Sequence, residues 1–155
     1  MSRQNFFRVI FIILSLIFLR GESPAQERLF GEDKGPIVIT SSTLSADTFK
    51  ALFEGSVVAR TDDIIMHSDR MLVFYSSDGK VDKIEADGNV RLIRGQKVVT
   101  SNKAVFIAGE EKIVLTGEPK AVEGENVVTG SKIIYMIKEN RYLIEDSRVI
   151  LRQKE

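Results

Sequence analysis

The sequence predicts an all-β domain of stacked antiparallel hairpins. Three observations carry this: a repeat of roughly 30 residues, short alternating runs rich in Val, Ile, Phe, Tyr and Thr, and turn signals at equivalent places in each copy. Helix signals are nearly absent.

The repeat appears on aligning a glycine that follows an acidic residue or Thr. Glu54-Gly55-Ser56-Val57 matches Asp87-Gly88-Asn89-Val90, then Thr116-Gly117-Glu118-Pro119, then Asp146-Ser147-Arg148-Val149, where Ser147 replaces the glycine. Positions 55, 88, 117 and 147 are 33, 29 and 30 residues apart. A second anchor lies between them: Ile39-Thr40-Ser41-Ser42, Met66-His67-Ser68-Asp69, Val99-Thr100-Ser101-Asn102 and Val128-Thr129-Gly130-Ser131. Two anchors in constant order make chance an inadequate account.

Residues 1–25 read as a secretory signal peptide. Arg3 and Arg8 precede the apolar run Val9–Leu19, and Ser23-Pro24-Ala25 supplies small residues before a cut at Gln26. A helix over that run spans roughly 17 Å at about 1.5 Å per residue, short of a bilayer core of about 30 Å. Residues 26–35 form a flexible lead-in, 36–152 the β domain and 153–155 a tail.

Within the domain, two series of turns alternate. Ser77-Asp78-Gly79-Lys80 carries an Asp-Gly hairpin signal, and Ala108–Glu111 and Lys138–Arg141 stand at equivalent places. Thr61-Asp62-Asp63, Arg94-Gly95-Gln96 and Glu123-Gly124-Glu125 form the other series. Each copy is therefore an up-and-down pair of strands with two turns. Hairpins of this length cannot bury an apolar face alone. Stacked copies can, as two facing sheets or a rolled sandwich. Alternation sends Val57, Ala59, Val90, Leu92, Pro119, Ala121, Val149 and Leu151 to the interior. Pro119 marks an edge or a bulge. Met71–Tyr75 and Ile133–Ile137 are apolar on both faces. Met71, Val73, Tyr75, Phe106, Ile133 and Tyr135 are assigned inward. The other face is either covered or presents an apolar stripe to a ligand or partner.

Chemistry is hard to place on this chain. It has no Cys, one His, and 22 basic against 22 acidic residues. That excludes thiolate metal sites, sites needing two imidazoles and a basic nucleic-acid field. His67 stands where other copies carry Thr. Asp62, Asp63, Asp78, Glu110, Glu111, Glu123 and Glu125 occupy turns, where acidic residues are expected. The recurring Ser41, Ser68 and Ser101 have no recurring His to activate them. No glycine-rich loop precedes a helix. The expectation is a non-enzyme without cofactor or metal, whose interior is either a packed core or an apolar cavity.

Pro36-Ile37-Val38-Ile39-Thr40-Ser41-Ser42 behind a leader resembles the first strand of the OstA-like (LptA) family of lipopolysaccharide-transport proteins. Ile113-Val114-Leu115-Thr116-Gly117, Gly130–Tyr135 and Phe53–Val57 resemble its later steps. The resemblance covers residues 36–152. It implies an open antiparallel β-jellyroll in the periplasm whose apolar groove holds the acyl chains of lipid A, with the sugars outside. It further implies an LptC-like inner-membrane partner and an LptD-like outer-membrane partner. The groove candidates are Ile37, Ile39, Val57, Ala59, Met66, Met71, Val73, Val90, Leu92, Val99, Phe106, Val128, Ile133 and Tyr135. An acyl chain of roughly ten methylenes costs about 8 kcal/mol to expose to water, which is why such a lipid needs shielding.

An open sheet leaves unpaired edges, here Ile37–Ser42 and Val149–Arg152, which can template further strands. Ile37, Ile39, Val149 and Leu151 are thus candidates for head-to-tail self-association into a filament. Two other readings stay open: a membrane-anchored LptC-like subunit that keeps the Val9–Leu19 segment, and a structural β-repeat protein that binds partners by its edges and no lipid.

Overall fold

The computed structural model describes residues 36–61 and 63–152; residues 1–35, where a leader and lead-in are expected, Asp62 and residues 153–155 lie outside the described residues. The strands are β1 (Val38–Thr40), β2 (Thr43–Ala46), β3 (Lys50–Arg60), β4 (Ile65–Tyr75), β5 (Val81–Arg94) and β6 (Lys97–Ile107), then β7 (Lys112–Thr116), β8 (Lys120–Glu123), β9 (Asn126–Thr129), β10 (Lys132–Met136), β11 (Arg141–Glu145) and β12 (Arg148–Ile150). Every pairing is antiparallel.

The pairings resolve into two leaves that share their long strands. The first leaf runs β1-β3-β4-β5-β6-β8-β9-β12, and the second β2-β3-β4-β5-β6-β7-β10-β11. Strands β3 to β6 cross from one leaf to the other. They do so at interruptions of the ladder between Glu54 and Val57, His67 and Arg70, and Asp87 and Val90. A bulge there bends a strand without ending it. The sheet is open, because β1 and β2 at one end do not pair with β12 and β11 at the other.

Both repeat anchors of the sequence meet at these corners. Ser42 N–H donates to Gly55 O at 3.0 Å, and Asn102 N–H to Gly117 O at 2.9 Å. Asn89 Nδ2 donates to Asp69 Oδ2 at 2.8 Å. Gly88 has φ +78° and a Cβ there would overlap the Asp69 carboxyl; Gly117 has φ +75° and a Cβ would lie 2.7 Å from Asn102 Cβ. Both the left-handed backbone and the close approach of the facing strand demand glycine.

The fourth corner departs from the alignment drawn from sequence. Lys103 pairs Thr116 and Lys132 pairs Glu145, so Asp146, not Ser147, stands in the glycine position. Asp146 has φ 50°, and Ser131 Oγ donates to its Oδ2 at 2.6 Å. Asp tolerates left-handed backbone better than most residues. This corner is also a residue shorter: Gly88, Asn89 and Val90 separate the ladder residues Asp87 and Arg91, but only Asp146 and Ser147 separate Glu145 from Arg148. Val149 consequently shares the row of Leu92 and Ala121 rather than that of Val90.

Side chains in register form rows across each leaf. Ile39, Ala59, Met66, Leu92, Val99, Ala121, Val128 and Val149 form one inner row of the first leaf. Ala51, Val73, Ile84, Phe106, Ile113, Tyr135 and Tyr142 form one in the second. Phe53, Met71, Ala86, Ala104, Leu115, Ile133 and Ile144 form another beside it. Apart from Val149, these rows face one another as a single apolar core. Pro119, buried, stands at the break between β7 and β8, where no ladder bond needs its missing N–H.

Both turn series occur where the sequence places them. Ala108–Glu110 forms a single 3-10 turn before β7. Two interior assignments are corrected. Val149 is 51% exposed and Leu151 71% exposed. Val149 has the inner register, but β12 is the last strand of its leaf and no described strand packs beyond it. Leu151 lies past the end of β12.

Candidate functional site

The candidate site is the inner face between the leaves. All the groove candidates lie on it, from Ile37 and Ile39 at the β1 end through Val57, Ala59, Met66, Met71, Val73, Val90, Leu92, Val99, Phe106 and Val128 to Ile133 and Tyr135, either inside the core or packed against it. Sequence reasoning left out Ile64, Ile84, Ala104, Ile113, Leu115 and Tyr142, which belong to the same core. Alternation in Lys83-Ile84-Glu85-Ala86 carried a signal for two core residues, Ile84 and Ala86. Ile113-Val114-Leu115 carried none, because it is apolar on both faces.

A cavity of about 30 Å³ lies between the leaves. Residues of both leaves line it: Ile37, Ala59, Thr61, Ile64 and Met66 of the first, Met71, Ile84, Ala104, Phe106 and Ile113 of the second. Among the described residues, Ser68 and Ser101 are the buried polar ones. Ser101 Oγ donates to Lys103 O at 3.0 Å, whereas Ser68 Oγ has no partner. The interior is apolar in character, and its described residues include no nucleophile–base pair. Among the described residues no His, Cys, Asp and Glu group could hold a metal. No helix among them is long and apolar enough to cross a membrane.

The outer face answers the question left by the doubly apolar strands. Leu52, Leu72, Glu85, Val105, Val114, Ile134 and Leu143 form an outward row on the second leaf. Most are half-buried by their neighbours. Beside them runs a ladder of alternating charge, with Arg70 on Glu54, Lys103 on Asp87 and Lys132 on Glu145 at 3.6, 3.5 and 2.9 Å. Glu85 accepts from Lys83 at 2.8 Å, and that hydrogen bond holds its carboxyl below the usual range. His67 lies on the outer face of the first leaf, paired across the ladder with Val58 and Arg91.

Opposite the corners, the turn tips of both leaves form a mouth. Asp63, from the turn before β4, pairs with Arg94 at 2.6 Å. Arg94 reaches over to Asn140 and Tyr135 of the second leaf. Tyr135 and Tyr142 stack with ring centroids 4.4 Å apart. Burial pushes the Tyr142 phenol up to about 12 from its ordinary 10.0, so the ring stays neutral and packs as an apolar plate.

The family described as LptA/(LptD N-terminal domain) LPS transport protein matches residues 38–141, from β1 to the first residue of β11. No curated protein matches the sequence. Among solved structures, LptH, the LptA homologous periplasmic component of the lipopolysaccharide transport device of Pseudomonas aeruginosa, superposes with a TM-score of 0.68 at 12% identity, over 76% of this chain and 96% of that one. At that identity the likeness is one of fold, and the shared fold is the open, cornered sheet described above. With most of its strands inside the matched span, the chain belongs to the LptA/LptD N-terminal domain family of lipopolysaccharide-transport proteins.

Proposed function

We propose that the protein is a periplasmic carrier that shields the acyl chains of lipid A between its two leaves and bridges inner and outer membranes. The observation that carries this reading is the unbroken apolar row from Ile39 at one edge to Val149 at the other. A lipid moving along such a row exchanges one set of dispersion and hydrophobic contacts for an equal set, so it meets no deep trap. No charged group interrupts it.

The edges extend the reading. Among the described residues, both leaves end in strands with an unpaired edge, β1 and β2 at one end, β12 and β11 at the other. A second copy, or the related domain of an LptC-like or LptD-like partner, would continue both leaves at once by strand addition. Ile37 and Ile39 at one end and Val149 and Leu151 at the other would then be covered.

A photo-reactive residue at Phe106, on the inner face, tests the carrier reading against one at Leu72, on the outer face. Incubated with purified lipopolysaccharide, the Phe106 variant is expected to form adducts and the Leu72 variant few. Folded Phe106 variant without adducts would defeat the reading. Photo-reactive residues at Ile39 and Val149, tested separately at high protein concentration, are expected to trap dimers; absence at both positions would remove head-to-tail association.

A further inference from the structure

Closure of the leaves rests mainly on apolar contact, which has no direction. At one place on the mouth the contacts are directional. Arg94 ends β5 in the first leaf, and Asn140 sits in the turn between β10 and β11 of the second. Arg94 Nη1 donates to Asn140 Oδ1 at 3.2 Å, across a sequence separation of 46 residues. Tyr135 Oη donates to the same oxygen at 3.2 Å. The Arg94 guanidinium lies 5.6 Å from the Tyr135 ring centroid, and Lys97 Nζ lies 4.5 Å from that of Tyr142. Asn140 has φ 48°, left-handed backbone that Asn accepts readily. The turn thereby presents the side-chain carbonyl toward the first leaf.

We propose that the Arg94–Asn140 contact, backed by Tyr135, is a latch across the mouth that keeps the leaves shut and releases when an acyl chain enters. Two observations carry the inference. The cavity between the leaves, about 30 Å³, is too small for an acyl chain of roughly ten methylenes, so seating a chain there requires the leaves to part, and parting at the mouth breaks this contact. Release also leaves no orphaned charge, because Arg94 keeps the Asp63 carboxylate at 2.6 Å. An ion pair that stays whole makes opening inexpensive, whereas stripping a half-buried guanidinium of every partner would not be. The consequence for lipid entry rests on the carrier reading; the latch itself does not.

The chain has no Cys, so spin labels can be placed one pair at a time. Labels at Gln96 and Glu139 report the mouth width in the lipid-free protein. The wild-type pair is expected to give one narrow distance. Arg94→Ala is expected to give a longer, broader one, and Asn140→Ala the same should Arg94→Ala fold poorly. Asn140→Asp keeps a residue suited to left-handed backbone and adds a charge for Arg94, so it is expected to narrow the distribution. In the second arm, uptake of purified lipopolysaccharide is timed by adduct formation at a photo-reactive Phe106. Arg94→Ala is expected to load roughly tenfold faster, the factor for one such hydrogen bond lost from the closed state, and Asn140→Asp slower. Unchanged distances in folded Arg94→Ala and Asn140→Ala overturn the latch, even where lipopolysaccharide binds. Widened distances with no uptake by any variant support the latch and overturn the carrier reading instead.

Discussion

The corners and the mouth lie at opposite margins of the same leaves and are built by different means. The corners are made by backbone. Gly88 and Gly117 take left-handed conformations, and short side chains of the facing strand press against them. Because the same geometry is needed each time a strand changes leaf, the same residues recur, and the recurrence is visible as the repeat. The mouth is made by side chains. Arg94, Lys97, Tyr135, Asn140 and Tyr142 meet there once, and no other copy carries the set. A bend can be repeated; a closing contact between two particular turns need not be. The repeat thus encodes how the sheet folds over, while unrepeated residues encode how tightly it stays folded.

The largest expected effect tests what both margins serve. Leu92, fully buried in the first leaf, is expected to cost about 2–5 kcal/mol on substitution by Ala, read as a shifted denaturation midpoint. A smaller cost would mean that the leaves collapse into the space. Next comes the corner. Gly88→Ala meets both the φ of +78° and the Asp69 side chain, whereas Gly79→Ala meets φ +82° with open space around it. Strained backbone costs about 1–3 kcal/mol in either case, so Gly88→Ala is expected to be the more destabilising. Equal losses would show that corner packing contributes nothing beyond conformation.

At the mouth the effects are smaller. Burial holds the Tyr142 phenol at about 12 against 10.0. Below pH 10 the ring is neutral in both folded and unfolded chains. Between pH 10 and about 12 the unfolded chain releases this proton and the folded chain keeps it, so stability falls as pH rises. Tyr142→Phe is expected to flatten this part of the pH–stability curve; an unchanged slope would assign it to other groups. The smallest effect is expected on the outer ladder. Arg70→Gln breaks an exposed pair with Glu54 and is expected to change stability by less than about 1 kcal/mol. A loss as large as that at Gly88 would erase the distinction between corner and surface.

Sequence reasoning reached the inner face through alternation. Val57, Ala59, Val90 and Leu92 alternate with polar neighbours, so their direction was legible. In Ile133-Ile134-Tyr135 periodicity is silent, and only the ladder shows Ile133 and Tyr135 inward with Ile134 outward. The last corner was misaligned because the repeat anchor was a glycine, and Asp146 can adopt the same backbone without being one. Val149 and Leu151 have the composition of interior residues, but burial depends on what lies opposite, and at this end of the open sheet no described strand does.

By itself the sequence determined the all-β class, the two series of turns, the repeated bend and the apolar character of one face. Each is local, set by backbone preference or by side chains two residues apart. Only the tertiary structure decided that a cavity of about 30 Å³ lies between the leaves, and that Arg94 meets Asn140 across the mouth. Those outcomes depend on the angle accumulated over several corners and on pairs of residues far apart in the chain, for which no periodic signal exists.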